Sequence, residues 1–223
     1  MVEEREDQAA WRRAAAALAD ELRAIAEALA VRDVSRDALV RAGELARRVR
    51  QELDGPPRPR WYEAGGDAAT ITDASRRAYL DQSPIRGRMN PVAPPLEAEV
   101  VERPDGARIV EGRARLGMAY EGPPHGVHGG WVAALFDDLL GAAQGLSERR
   151  GVTASLKVRY RDVTPVEEEL RLAAWIDEVR GRRMLGRATC HAGDLLTAEA
   201  EALFVAVDFD EIRERMRRRR GQP

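Results

Sequence analysis

The chain has 223 residues, 44% hydrophobic, 5% aromatic and 33% charged, a length that suggests one domain or one domain plus an appendage. Lys+Arg number 36 against 38 Asp+Glu, and a formal net charge of −2 gives no global case for nucleic acid or an anionic membrane as partner. No apolar run approaches the ~20 residues needed to cross a bilayer, so a soluble, cytoplasmic protein without a membrane partner is expected.

Met1 is followed by Val-Glu-Glu-Arg-Glu-Asp, which is acidic and lacks the apolar centre of a signal peptide. Residues 8–53 read as helical. Leu18, Leu22, Ile25 and Leu29 recur at helical spacing, with Trp11 seven positions before Leu18. The stripe breaks at Val31–Ser35, where Ser35 is placed to cap a second helix carrying Ala38, Ala42, Leu45, Val49 and Leu53. Two such narrow stripes bury against each other or against a partner surface, so a helical hairpin is expected, packed on its own body or a dimer mate. A docking module for another protein is the sharper alternative. Prolines in Asp54–Arg60 end the helix. These features set expected boundaries of 1–60 for the hairpin and Pro-rich linker and 61–95 for an irregular lid or linker.

From about residue 96 the pattern changes to period two. Val110, Gly112, Ala114, Leu116 and Met118 alternate with charged residues after a Pro104-Asp105-Gly106 turn. Later strands run through Val152–Tyr160, Leu170–Ile176, Met184–Cys190 and Ala198–Val207, with turns at Gly181 and Gly193-Asp194. Four strands in succession favour an antiparallel meander. Between them, Trp131–Leu146 is apolar on nearly every side and must be buried. An α+β body at 96–210 is therefore expected, a curved antiparallel sheet wrapped around one central helix, followed by a basic tail at 211–223. Cys190, alone of its kind, reads as a small core residue.

The run Glu121-Gly-Pro-Pro-His-Gly-Val-His-Gly-Gly130 precedes that helix. Gly129 and Gly130 leave the first helical amides unshielded, and those amides lack intrahelical acceptors and carry partial positive charge. They suit a carbonyl oxygen that becomes negative in a transition state, although an ordinary glycine-rich helix start has the same sequence. Asp137 and Asp138 lie inside the apolar helix. An acid there is costly unless partnered or used, so one of the two is expected to face a site or an interface. A carboxylate satisfied by Thr, Ser or backbone donors is the plainer alternative. Gly130 and Asp137 are about 10 Å apart along one helix, at about 1.5 Å per residue. Asp137 therefore cannot reach a carbonyl held at its own helix's first amides. A second copy of the helix running antiparallel closes the distance, as a twofold dimer supplies. His125 and His128 form a His-x-x-His pair, but two ligands without a third do not make a zinc site, and no metal is expected.

At these residues the sequence resembles the hotdog-fold acyl-CoA thioesterases, in particular the PaaI-type (phenylacetate-pathway) branch. The resemblance covers roughly residues 84–208. It rests on Ser83-Pro-Ile-Arg-Gly-Arg-Met-Asn-Pro-Val-Ala-Pro-Pro95, Tyr120-Glu-Gly-Pro-Pro124, His128-Gly-Gly-Trp-Val-Ala-Ala-Leu-Phe-Asp137, Thr153-Ala-Ser-Leu-Lys-Val-Arg-Tyr160 and Pro165. It implies a dimer or dimer of dimers with active sites at the subunit interface, and an acyl-CoA substrate without a cofactor. Asp137 matches the general base or nucleophile. Gly129, with help from His128, matches the groups that polarise the thioester carbonyl, the Gly130 amide being expected to help steady the oxyanion, and Thr153 matches the hydroxyl that orients water or the carboxylate. Gly122 stands where some relatives carry an Asn, so that auxiliary role is missing or reassigned. Trp131 lines an acyl pocket or simply packs. Ser155, Arg159 and Arg161 are grouped as substrate-binding, because strands of this kind border the site; Lys157, Arg182 and Arg183 are further candidates for the CoA phosphates. Asp138 is the fallback for Asp137. A hotdog module that binds acyl-CoA without hydrolysing it, its helical extension recruiting a partner, is the alternative from a different class.

Overall fold

The computed structural model describes residues 2–58, 73–94, 96–147 and 151–208, together with 215, 218 and 219. Residues 59–72 and 95 of the expected linker and lid, and most of the Arg-rich tail after 208, lie outside the described residues.

Six strands form one sheet: β1 (Leu96–Glu102), β2 (Arg108–Arg115), β3 (Gly151–Tyr160), β4 (Glu169–Arg180), β5 (Arg183–Ala192) and β6 (Leu195–Ala206). All neighbours are antiparallel, in the order β1-β2-β4-β5-β6-β3. The turns read from sequence are where the chain reverses. Gly106, Gly181 and Gly193 hold φ of 80°, 56° and 57°, a region that a β-carbon makes costly. The central helix, α4 (Gly129–Gln144), lies against β2, β3, β4, β5 and β6. Period-two alternation turns Ala188, Cys190, Ala200, Ala202 and Phe204 toward the core. Val132, Leu135, Phe136, Leu139 and Leu140 of α4 meet them there, each no more than 1% exposed. Small residues on the strands let the helix approach. A β-carbon on Gly112 would lie 2.8 Å from Leu139 Cδ1, and one on Gly186 2.9 Å from Leu140 Cδ2. This is the sheet-around-helix arrangement of the hotdog fold.

Three expectations are corrected. The last four strands are not one meander: β4, β5 and β6 are, but β3 lies on the far side of β6, pairing Gly151 with Ala206 through Tyr160 with Ala198. The chain crosses from β3 to β4 instead of turning back, because residues 161–168 make no tight hairpin. Secondly, the stretch read as irregular contains a helix, α3 (Asp73–Gln82). Its sequence, Asp-Ala-Ser-Arg-Arg-Ala-Tyr-Leu-Asp-Gln, has too few large apolar residues to show a helical stripe. Thirdly, α1 (Val2–Val31) and α2 (Arg36–Glu52) form with Ser35 as the cap between them, its Oγ accepting from Ala38 N, but they do not bury their stripes together. Ile25, Leu29, Leu39, Val40, Leu45, Val49 and Leu53 remain exposed, and α2 has no buried residue.

Ala19 of α1 is buried and Leu18 and Leu22 are half-buried, and polar contacts add to the hold on the body. Glu27 accepts from Met118 N at 2.7 Å and Ala119 N at 2.8 Å, capping the 3-10 turn Met118–Tyr120. Arg23 donates to the carbonyls of Arg88 and Asn90, and Arg12 pairs with Asp81 of α3.

Candidate active site

α4 begins where the Gly/Pro loop ends. His128 is the N-cap, and its imidazole Nδ1 accepts from Gly130 N at 3.0 Å. A ring nitrogen that accepts there leaves the proton of the neutral imidazole on Nε2, which becomes a donor. This changes one expectation. The Gly130 amide already has an acceptor, so it is not an open oxyanion donor. Gly129 N–H, among the described residues, has none, as the first position of a helix requires. Gly129 is further fixed by Tyr160 of β3, whose hydroxyl donates to Gly129 O at 2.8 Å. A β-carbon at Gly129 would press on the Tyr160 ring at 3.1 Å, so a larger residue would displace this contact.

An open cleft of about 680 Å³ lies at this helix start. Pro123, Val127, His128, Gly129, Gly130, Tyr160, Arg161, Val163 and Thr164 contribute to its walls. The loop that carries His128 is braced from both ends. His128 N donates to Tyr120 O at 2.8 Å, and Val127 N donates to Thr164 O at 2.7 Å. His125 sits at φ 59°, with its N–H on Glu121 Oε1.

Asp137 lies two turns further along α4. It is exposed, on the same open face as Gly130 and Gly141, whereas its neighbours Phe136 and Leu139 are fully buried. Thr153 of β3 donates to Asp137 Oδ1 at 3.1 Å. A bulge puts Ala154 between the paired residues Thr153 and Ser155, re-aiming this stretch of the strand. Asp138 faces the other way. Its side chain is 6% exposed and lies 2.9 Å from Arg86 Nε. Burial pushes the Asp138 carboxyl up, Arg86 pulls it down, nearby Asp137 pushes it up and the Ser83 hydroxyl pulls it down.

The remaining candidates divide. Arg161 is on the cleft wall, but Arg161 and Arg159 both pair with Glu199 of β6, whose carboxyl is held low chiefly by the Arg161 hydrogen bond. Trp131 packs edge-on against Tyr120, ring centres 5.1 Å apart, and does not line the cleft. Ser155 is exposed on β3, away from the cleft walls. Cys190 is buried in the core, its thiol pushed up to about 11 by desolvation. The sequence assigned no role to two residues near the site: Tyr160, whose place at the end of the Thr-x-Ser-Leu-x-Val-x-Tyr strand was the available signal, and Arg86, whose place in the Ser83–Pro95 motif was.

Residues 125–199 match the model of the thioesterase superfamily, a range that starts in the His125 loop and includes Asp137 and Thr153. Human acyl-coenzyme A thioesterase THEM5 is 26% identical over 97 residues, and mouse acyl-coenzyme A thioesterase THEM4 is 30% identical over 94. These alignments cover 43% and 41% of this chain, and the chain spans about two-fifths of the length of these relatives, 39% and 40%. Among solved structures, the thioesterase superfamily protein RHA08564 superposes with a TM-score of 0.70 at 30% identity. That match covers 86% of this chain and 90% of the other, so it takes in helices well outside residues 125–199. The chain belongs to the thioesterase superfamily.

Proposed function

We propose that this chain hydrolyses an acyl-CoA thioester to the free acid and CoA, as a twofold dimer whose two sites are each built from both protomers. The observation that carries the reading is the Thr153–Asp137 hydrogen bond, which presents an exposed carboxylate on the open face of an otherwise buried helix. The acyl carbonyl would sit at Gly129 N–H and His128 Nε2–H, donors placed where negative charge develops. Asp137 of the facing protomer then takes a proton from water, or attacks directly, while Thr153 orients its carboxylate. The C–S bond breaks, water's hydroxyl ends on the acyl carbon and its proton on the CoA sulfur.

Two features support the dimer. β3 is an edge strand, and most of its residues are exposed, an arrangement that invites pairing with another strand. The open face of α4 is built from Gly130, Ala134, Asp137 and Gly141, small enough for a second α4 to pass close by. Pairing β3 with its twin would lay the two helices side by side. The PaaI-type branch and a cytoplasmic setting are part of this reading. They rest on the sequence motifs, the lone buried Cys190 and the absence, among described residues, of a helix long and apolar enough to cross a membrane.

The test is thiol release from a panel of acetyl-, hexanoyl-, palmitoyl-, benzoyl- and phenylacetyl-CoA, with wild type and Asp137→Asn. Turnover of at least one ester, lowered about 10²–10⁴-fold in a folded, dimeric Asp137→Asn protein, supports the reading. Saturable binding of these esters with no thiol release would replace it with the non-hydrolysing module, for which the exposed apolar faces of α1 and α2 would serve a partner.

A further inference from the structure

α1 lies wholly outside the residues that match the superfamily, yet one of its side chains reaches the loop that carries His128. Arg12, Ala19, Arg23 and Glu27 recur at helical spacing and make the face of α1 turned to the body. Arg12 on Asp81, and Arg23 on the carbonyls of Arg88 and Asn90, set that face down and deliver Glu27 to the turn at 118–120. Its two carboxylate oxygens take one amide each, Met118 N at 2.7 Å and Ala119 N at 2.8 Å. Gly117 makes the room, since a β-carbon there would lie 2.7 Å from Glu27 Oε1. The segment anchored in this way is the seat of His128. Tyr120 O accepts from His128 N at 2.8 Å, and Glu121 bridges Val127. Gly122 packs against His128 itself. A β-carbon on Gly122 would fall 2.7 Å from His128 Cα and 3.1 Å from Cδ2, the ring carbon bonded to Nε2. Gly129 is held from elsewhere, by the Tyr160 hydroxyl of β3 on its carbonyl. α1 therefore bears on His128, and the sheet on Gly129.

We propose that Glu27 is a positioning residue for hydrolysis, whose carboxylate anchors residues 118–122 from α1 and so fixes the direction of the His128 imidazole at the thioester carbonyl. The proposal rests on His128 as a donor to that carbonyl. Hydrogen bonds to an ionised acceptor are among the stronger ones, and a donor aimed at developing charge depends on its placement. Without the carboxylate, Met118 N and Ala119 N turn to water, and the segment loses its tie to α1. The imidazole then follows its main chain, whereas Gly129 stays tied to β3 through Tyr160.

The test uses the full chain as wild type, Glu27→Ala, Glu27→Gln, Gly117→Ala, His128→Ser, and Glu27→Ala combined with His128→Ser. Gly117→Ala keeps Glu27 but displaces its carboxylate, the far end of a flexible side chain. Thiol release from an ester that wild type hydrolyses gives kcat and KM. Amide hydrogen exchange by NMR follows His128 N–H against the buried amides of β5 and β6. Glu27→Ala and Gly117→Ala should each lower kcat about tenfold with KM little changed, and Glu27→Gln, which keeps one acceptor, should fall between. His128 N–H should exchange about tenfold faster while the strand amides stay as in wild type. In the His128→Ser background, Glu27→Ala should cost less than about twofold more, because the group it aims is gone. The full tenfold cost in that background would overturn the proposal, as would unmoved His128 exchange or an unmoved kcat. Strand amides that speed up together with His128 would mean general loosening, and would overturn it too. If wild type releases no thiol from any ester, faster His128 exchange alone would keep the bracing from α1 and reject the hydrolysis it serves. If Glu27→Ala does not fold, Gly117→Ala takes its place in the cycle and decides.

Discussion

Thr153 Oγ1 donates to Asp137 Oδ1 across 3.1 Å, joining an edge strand to the open face of the central helix. A carboxylate on an exposed helix position would otherwise sample several rotamers. Replacing Thr153 by Val keeps shape and β propensity but removes the donor, and hydrogen bonds to charged groups are worth about 1.5–3 kcal/mol. Thr153→Val should lower kcat about 10–100-fold with KM little changed, measured by thiol release. An unchanged kcat would mean that the contact does not prepare the acid.

In the proposed reaction His128 has two jobs that a substitution can separate. Its Nδ1 caps α4 at Gly130 N, which leaves Nε2–H as the donor of the neutral ring, on a residue that lines the cleft. Serine caps helices well but offers no group at the Nε2 position. His128→Ser should therefore keep the thermal midpoint within a few degrees while kcat falls about 10²-fold, in line with the loss of one oxyanion donor. His128→Ala should lose both activity and about 1 kcal/mol of stability. Equal activity of His128→Ser and wild type would remove the imidazole from the reaction.

The fold was legible wherever the physics is local. Gly106, Gly181 and Gly193 turn the strands where their positive φ demands, and the all-round apolar run from Trp131 is the buried helix. What was not legible depends on distant partners. Nothing in β3 itself states that it pairs with β6 instead of β4, since both present buried apolar residues at alternate positions. The apolar residues of α1 and α2 have the period of packed helices, yet most of them stay exposed and α1 is also held by Arg12, Arg23 and Glu27, long polar side chains whose targets only the folded chain brings near. The site follows the same division. The candidate residues His128, Gly129, Asp137 and Thr153 lie in two neighbouring motifs, whereas the occupied Gly130 amide was hidden because histidine is an uncommon cap. Arg86 was hidden because its partner Asp138 lies on a distant segment.

The approach of α4 to the sheet depends on Gly112 of β2. Its neighbour across the interface is Leu139, fully buried, and even a single added carbon would meet it at 2.8 Å. Gly112→Val should cost about 1–3 kcal/mol through overpacking, seen as a thermal midpoint lowered by several degrees. A midpoint equal to wild type would show that the helix shifts freely on the sheet, and that Asp137 is not held by this packing.

Cys190 offers a chemical probe of the same core. Desolvation raises its thiol to about 11, so at pH 8 only about one molecule in a thousand carries the reactive thiolate. Iodoacetamide at pH 8 should leave the folded protein unlabelled over an hour and modify it fully in denaturant, read by intact mass. Rapid labelling of the folded protein would contradict the packed core around β5.

Division of labour between protomers is tested most directly by mixing two disabled proteins. Asp137→Asn and His128→Ser should each be nearly inactive alone. After unfolding and refolding together, half the dimers should be mixed, and each mixed dimer should contain one site with both native groups and one with neither. The account predicts that the mixture regains about one quarter of wild-type thiol release. A mixture that forms mixed dimers, verified by differently tagged chains, yet stays as inactive as its parents would show that the acid and the helix start do not act across the interface.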